Sequence, residues 1–299
     1  MIDISSRLNE YVRIFEDFIY SEVSADKFSG RESDGFSLML EAMNYSLKNG
    51  GKRIRPVLVM EFCRLCGGKI EDCLHYAASL EMIHTYSLIH DDLPCMDDDD
   101  YRRGKLSNHK VYGYANALLA GDGLLTLAFE EISKSSLSDS NKMKAVKLLS
   151  ESAGASGMIA GQVMDLANEN KSVDLETLKI TDLLKTGKLI SSACVLGCIA
   201  AEADEKYYES ALSYGKNIGL AFQITDDILD VTGDESVLGK PIGSDADNNK
   251  STYVSILGLD KAKRYAEILT EDAIKSLNVF GKESDFLNEF ATKLIQRKN

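Results

Sequence analysis

The chain is expected to fold as an all-α bundle, and three observations carry that expectation. Proline occurs only three times, at Pro56, Pro94 and Pro241, so long stretches keep every backbone donor that a helix needs. Apolar residues recur at three- and four-residue intervals, the period of one helix face. Sustained strand-type alternation is absent. With 299 residues, 44% apolar and 27% charged, the chain can bury a large core. No linker or low-complexity tract divides it, so residues 1–299 read as a single domain.

The elements follow in order. Glu61 to Leu65 lies in the apolar run V-L-V-M-E-F-C-R-L-C. Leu80, Ile83, Ser87 and Ile89-His90 carry a second helix into Asp91. Leu118 to Ile132 and Met143 to Leu149 read as two more. Leu183, Leu184, Ile190, Val195 and Ile199 mark a further single helix. Ser133 to Asn141 and Asn168 to Asp174 are polar links. Thr232 to Asn249 holds Gly233, Gly239, Pro241 and Gly243, and leads to Lys250-Ser251-Thr252. Its length and polarity make it a candidate lid.

Composition narrows the function classes. The net charge is −13, from 34 basic and 47 acidic residues, with no basic stripe, so no nucleic-acid partner is expected. No run of eighteen or more uncharged apolar residues exists, so no membrane span is expected. The opening M-I-D-I-S-S-R-L-N-E lacks the apolar core of a signal peptide, and a cytoplasmic location follows. Cys63-x-x-Cys66 with Cys73 and His75 has a spacing that zinc can use. Cys63, however, sits in an apolar helical run, and Cys194 and Cys198 sit in S-S-A-C-V-L-G-C-I-A. Thiols so placed pack as small hydrophobes and stay reduced in the cytosol.

Two acidic clusters carry the chemistry. Asp91 to Asp100 packs six aspartates into ten residues, D-D-L-P-C-M-D-D-D-D, and Asp226-Asp227-Ile228-Leu229-Asp230 ends another apolar run. Carboxylates so crowded demand counter-cations. Oxygen ligands suit Mg²⁺, which keeps waters and is completed by substrate phosphates. Asp226 and Asp230 lie about 40° apart and about 6 Å along a helix, on one face. Asp91 and Asp97 would stand about 240° apart on a continuous helix. Pro94 interrupts that helix, so Asp97 must swing back from a turn to share an ion with Asp91. Asp98 to Asp100 then face solvent or restrain the basic residues that follow. Gly50-Gly51-Lys52-Arg53-Ile54-Arg55-Pro56, His84, Arg102-Arg103, Lys185-Thr186-Gly187, Lys240 and Lys250 supply groups suited to diphosphate. The order of an EF-hand, a Walker lysine motif and Gly-x-Gly-x-x-Gly are all missing.

G-G-K-R-I-R-P, E-M-I-H-T-Y-S-L-I-H-D-D-L-P-C-M-D-D-D-D-Y-R-R-G, K-T-G-K-L, G-L-A-F-Q-I-T-D-D-I-L-D and G-K-P-I-G-S-D, in this order, resemble the short-chain trans-isoprenyl diphosphate synthases. The four-residue gap before Asp97 resembles the bacterial farnesyl and plant geranylgeranyl pattern. The resemblance implies a helical bundle around a central cavity, usually a homodimer. It implies that isopentenyl diphosphate is condensed head to tail with dimethylallyl or geranyl diphosphate. Asp91, Asp97 and Asp226 would hold three Mg²⁺ ions on the allylic diphosphate, assisted by Asp92 and Asp230. Arg102, Lys185 and Lys240 would clasp that diphosphate. Lys52, Arg55, His84 and Arg103 would bind isopentenyl diphosphate without metal. Thr186, Gln223 and Phe222 would line the cationic centre. Arg297 in the basic tail would reach towards the isopentenyl site. Tyr86, five residues before Asp91 and about 7.5 Å deeper by helix rise, resembles a floor under the growing chain, implying farnesyl diphosphate as product. Geranylgeranyl diphosphate synthase is the alternative. A terpene cyclase or a non-catalytic synthase subunit fits less well, because both aspartate clusters and both basic sets are complete. Tyr101 and Tyr114 depart from the family pattern, at positions without a metal or diphosphate role.

Overall fold

The structure, a computed structural model, describes residues 4–28, 34–233 and 250–297. Helix α1 (Ile4–Glu22) and a 3₁₀ turn precede α2 (Asp34–Leu47), α3 (Ile54–Leu65) and α4 (Ile70–Asp91). A two-residue hairpin follows, β1 (Tyr101–Arg102) against β2 (Lys105–Leu106), with Tyr101 opposite Leu106. Then come α5 (Asn108–Tyr112), α6 (Tyr114–Lys134), α7 (Asp139–Ala153), α8 (Met158–Asn168) and α9 (Leu175–Asp182). After α10 (Lys188–Ala200) and α11 (Glu205–Thr232), the chain ends in α12 (Tyr253–Leu257), α13 (Leu259–Ser276), a 3₁₀ segment and α14 (Asp285–Gln296).

Local chemistry explains the boundaries. The Ser138 hydroxyl accepts the Asn141 N–H and starts α7, and the Asp174 carboxylate accepts the Thr177 N–H and starts α9. The link expected over Ser133 to Asn141 is therefore shorter, because α6 runs on to Lys134 and α7 begins at Asp139. The single helix expected from Leu183 to Ile199 is broken into a π turn, Leu183–Gly187, and α10. A π turn inserts one residue into the ladder, a device that commonly re-aims side chains at functional sites.

The core forms where α3, α4 and α10 meet. Val57, Leu58, Val59 and Met60 of α3, Leu80 and Met82 of α4, and every residue of α10 from Leu189 to Ala200 are buried. A helix apolar all round belongs in the interior of a bundle. The stretch 175–200 is long and apolar enough to cross a membrane, but 72% of its most apolar 18-residue window is buried within the fold. A second, smaller core joins Leu220, Ala221 and Ile224 of α11 to Tyr253, Ala262 and Ala266.

Buried ions tie the helices together. Arg53, in the left-handed region at φ 48°, gives Nη1 to Glu81 at 2.8 Å, Nε to Glu16 at 3.1 Å and Nη2 to the Leu47 carbonyl. Glu61 accepts the Tyr11 hydroxyl at 2.8 Å and Arg64 at 2.9 Å. His75 bonds Glu131 at 2.6 Å, so its ring is engaged by a carboxylate and does not complete a cysteine set.

Candidate active site

Helix α4 stops at Asp91 and Asp92 caps it. The chain then doubles back: the Leu93 carbonyl accepts the Met96 and Asp98 N–H groups at 2.8 and 3.2 Å, and the Asp91 carbonyl accepts the Asp97 N–H at 2.9 Å. This turn through Pro94 brings together two aspartates that a continuous helix would hold apart. Burial pushes the Asp91 carboxyl up to about 6, against the pull of Lys185, and Asp97 adds to the rise. Asp92, 2% exposed, receives Arg102 Nε at 2.8 Å and a second bond from Nη2. Asp99 holds the same guanidinium at 3.2 Å, and Asp100 holds Lys110 at 2.6 Å. The outer aspartates thus restrain neighbouring cations. The hairpin turns on Arg103 and Gly104, both at positive φ, as a two-residue turn of this twist requires. Arg102 goes to the carboxylates, while Arg103 donates to the Gly50 carbonyl.

A second region gathers positive charge. Arg55 lies in the first turn of α3, and its buried Nε has no partner. Burial pushes its guanidinium down to about 10; Glu81 opposes and Arg103 reinforces the fall. Burial also holds His84 well below the usual imidazole range, with Arg55, Arg103, Arg53 and Arg102 adding to it, so His84 is a neutral hydrogen-bonding group. Burial likewise lowers Lys52, and Arg297 adds to it. Arg53 is satisfied by two carboxylates, whereas Arg55 and Arg103 stand close in a place that favours an anion.

The π turn presents Lys185, whose Nζ bonds Asp165 of α8 at 2.6 Å. Burial alone would lower this lysine, but Asp165, Asp91 and Asp97 raise it, which places it beside the first aspartate cluster. Helix α8 comes this close because of Gly161: a Cβ there would lie 2.2 Å from the Lys185 backbone nitrogen. Asp165 is absent from the residues read from sequence. The signal that could have found it is G-Q-V-M-D, a glycine followed four residues on by a carboxylate on one helix face. Asp182, also unread, is pushed up to about 7 by burial, with the Tyr253 hydroxyl opposing.

On α11, Asp226 Oδ1 accepts Arg297 Nη2 at 2.5 Å. The same guanidinium donates to the Phe222 carbonyl at 3.2 Å and lies 4.0 Å from the Phe222 ring centre. Asp227 accepts the Tyr253 N–H at 2.8 Å, and Asp230 is 2% exposed. Asp226 also raises Lys52, so the tail, the second aspartate cluster and the G-G-K-R segment converge. Thr186 and Gln223 are half-buried near these groups in sequence. Tyr86 is buried in α4, edge-on to His90 at 5.6 Å. Lys240 and most of the candidate lid, residues 234–249, lie outside the described residues.

Among the described residues, no three His, Cys, Asp or Glu side chains are gathered tightly enough to hold an ion alone. Mg²⁺ does not require that: it is usually bound through one or two carboxylates, waters and substrate phosphates. The juxtaposed Asp91 and Asp97, whose charges oppose one another, fit such an ion. A cavity of about 870 Å³ lies beside the second aspartate cluster, between α11, α13 and the chain end, lined by Thr225, Ile228, Lys263, Glu267 and Arg297. It does not reach the first aspartate cluster, so the carboxylates and cations rather than this volume locate the site.

Comparison with known proteins identifies the family. The polyprenyl synthetase family model matches residues 36–285. The chain is 48% identical over 264 residues to a farnesyl diphosphate synthase of Micrococcus luteus, covering 87% of this chain and 90% of that one. It is 44% identical over 266 residues to a geranylgeranyl diphosphate synthase of Cyanophora paradoxa, covering 88% and 89%. A geranyltransferase of Helicobacter pylori, solved with magnesium and isoprenyl diphosphate, superposes with TM-score 0.84 at 34% identity, covering 99% of this chain and 97% of that one. With the family model, the related sequences and the fold in agreement over most of its length, the chain belongs to the polyprenyl synthetase family.

Proposed function

We propose that this protein is a prenyltransferase that joins isopentenyl diphosphate head to tail to dimethylallyl or geranyl diphosphate, with farnesyl diphosphate as product. The observation that carries this reading is the division of the site. One half is carboxylate-rich around Asp91, Asp97 and Lys185; the other is cationic around Arg55, Arg103 and neutral His84. Such a division suits two diphosphates held in different ways.

Asp91, Asp97 and Asp226 are the proposed ligands of three Mg²⁺ ions, with Asp92 and Asp230 behind them. Bound there, magnesium supplies Lewis-acid stabilisation to the leaving diphosphate. Lys185 and Arg102 add fixed positive charge where the allylic C–O bond breaks and its electron pair leaves with the diphosphate. Arg55, Arg103, Lys52 and His84 hold the isopentenyl diphosphate, so its double bond is already placed for attack. The π electrons form the new C–C bond, and a proton then leaves to restore a double bond. No side-chain base is needed if the departed diphosphate takes that proton. Thr186, Gln223 and Phe222 border the cation, and Lys240 belongs to the same diphosphate clamp.

Arg55→Met tests the division. Charge-assisted bonds are worth about 1.5–3 kcal/mol, so KM for isopentenyl diphosphate is expected to rise about 10- to 100-fold at little change in KM for the allylic substrate. The reverse pattern would exchange the two subsites.

The proposed assembly is a homodimer in the cytoplasm. Exposed Leu118 and Leu119 of α6, Met143 of α7, and Ile159 and Val163 of α8 support a protein–protein face, and six unbridged cysteines suit a reducing compartment. Sedimentation should give twice the chain mass, and Val163→Asp should shift it towards the monomer. A wild-type monomer at micromolar concentration would remove the dimer.

A further inference from the structure

We infer that Cys66 and Cys198 are an oxidation-sensitive thiol pair that closes to a disulfide, a modification site at the end of the bundle remote from the carboxylates. Their sulfurs lie 3.6 Å apart although the residues are 132 positions apart in sequence. Cys66 caps the C-terminal end of α3 and is half-buried; Cys198 lies near the C-terminal end of α10 and is buried. The helices are locked together at this point. A Cβ on Gly197 would lie 2.3 Å from the Val59 carbonyl oxygen and 2.8 Å from the Cys63 nitrogen, so α3 and α10 meet backbone to backbone one residue before Cys198. Closing the sulfurs to a bond of about 2.05 Å requires a movement of side-chain size, not a rearrangement of helices.

The other thiols are placed differently. Cys63, Cys73 and Cys194 are buried, and each directs its sulfur at a backbone carbonyl: Lys69 at 3.3 Å, Ile70 at 3.1 Å and Ile190 at 3.4 Å; Cys63 and Cys73 also bond one another, but both are fully buried. Cys95 is exposed on the Asp91–Asp97 turn. Cys66 combines partial access with a second sulfur in contact. Its hydrogen bond with Cys198 lowers its pKa against the effect of burial, while the same bond and burial raise Cys198. Cys66, the half-buried member of the pair, is the sulfur an oxidant reaches first and so the attacking thiolate, and the buried Cys198 is the resolving thiol.

With a peroxide as oxidant the step balances. The Cys66 thiolate attacks one peroxide oxygen, the O–O bond breaks, and the departing hydroxide leaves as water with the proton that Cys66 gave up. The Cys198 sulfur then attacks the Cys66 sulfenic acid. The S–O bond breaks, the S–S bond forms, and the second hydroxide leaves as water with the Cys198 proton. Two thiols and one hydrogen peroxide become one disulfide and two waters.

The link joins the far ends of two helices whose near ends carry Arg55 and the Lys185 turn, roughly 15–20 Å away by helix rise. Turnover is therefore expected to survive oxidation. The thermal midpoint is expected to rise, because a long loop of the unfolded chain becomes closed. This inference is independent of the proposed reaction.

The experiment treats the full chain with hydrogen peroxide, blocks free thiols by alkylation and maps the digest by mass spectrometry. The expected result is a linked pair of peptides carrying Cys66 and Cys198, two hydrogens lighter than their sum and separated by dithiothreitol. Cys66→Ser should abolish the pair, and Cys198→Ser should send Cys66 on to sulfinic acid. The wild-type map is decisive without either variant. Cys66 recovered unmodified or as sulfinic acid, with no linked pair, at a dose that fully oxidises free cysteine would overturn the proposal. Linkage of Cys66 only to another molecule would overturn it too.

Discussion

Asp91→Ala is expected to lower turnover by on the order of 10²–10³-fold, the loss typical when one group that stabilises transition-state charge is removed. It should do so without destabilising the fold. Burial and the charge of Asp97 lift the Asp91 carboxyl from 3.8 to about 6, so its ionised form is disfavoured in the ligand-free protein. A carboxyl raised on folding contributes stability that is fully present below about pH 4 and is lost as pH rises through about 6. At pH 8, the isosteric Asp91→Asn should therefore show a thermal midpoint equal to or above the wild type, with turnover still lost. A cation on Asp91 needs the carboxylate, so the magnesium concentration for half-maximal rate should climb as pH falls below about 6. Calorimetry at pH 5 and 8 beside steady-state rates measures both. Full turnover by either variant would remove Asp91 from the reaction. Asp226→Ala is expected to lower turnover as well, though its carboxylate is paired with Arg297 and its loss also frees the tail.

Tyr86→Ala is expected to change what the enzyme makes. Tyr86 is 5% exposed, with its ring edge-on to His90 and its hydroxyl without a partner. His90 in turn meets the Leu118 carbonyl of α6 at 3.0 Å. Removing the ring would open depth beneath the first aspartate cluster, down towards α6. With geranyl and isopentenyl diphosphates, product chromatography should show C20 beside or in place of C15. The price is about 3–5 kcal/mol of stability for truncating a buried aromatic. Tyr86→Phe separates size from polarity: it keeps the ring, loses only an unpartnered hydroxyl, and should retain both stability and the C15 product. Unchanged C15 from Tyr86→Ala would mean that the floor lies elsewhere.

Much of this was legible in the chain itself. Helices α3, α4, α6 and α7 follow from apolar periodicity, because burial of one face is a local pattern of period 3.6. The helix end at Asp91 follows from proline chemistry, and the polar link that closes at Asp174 from composition, both of which act over a few residues. The two carboxylate clusters and their flanking cations were visible as motifs for the same reason. The π turn was not: nothing in Leu183 to Gly187 distinguishes a π turn from an α turn, and its geometry answers to the packing of Gly161 against the Lys185 backbone.

What the sequence alone determined is the class of fold, the residue types of the site and the need for cations beside crowded carboxylates. Only the tertiary structure decided how those groups divide. It separated Arg53, held by Glu81 and Glu16, from Arg55, which keeps an unpartnered Nε in the same segment. It gave Arg102 to Asp92, Lys185 to Asp165 and Asp226 to Arg297. Each of those pairings joins groups on different elements. The reason is that a charge is settled by what lies within a few ångströms of it, and in this fold those neighbours come from other elements, from ten to 71 residues away in the chain.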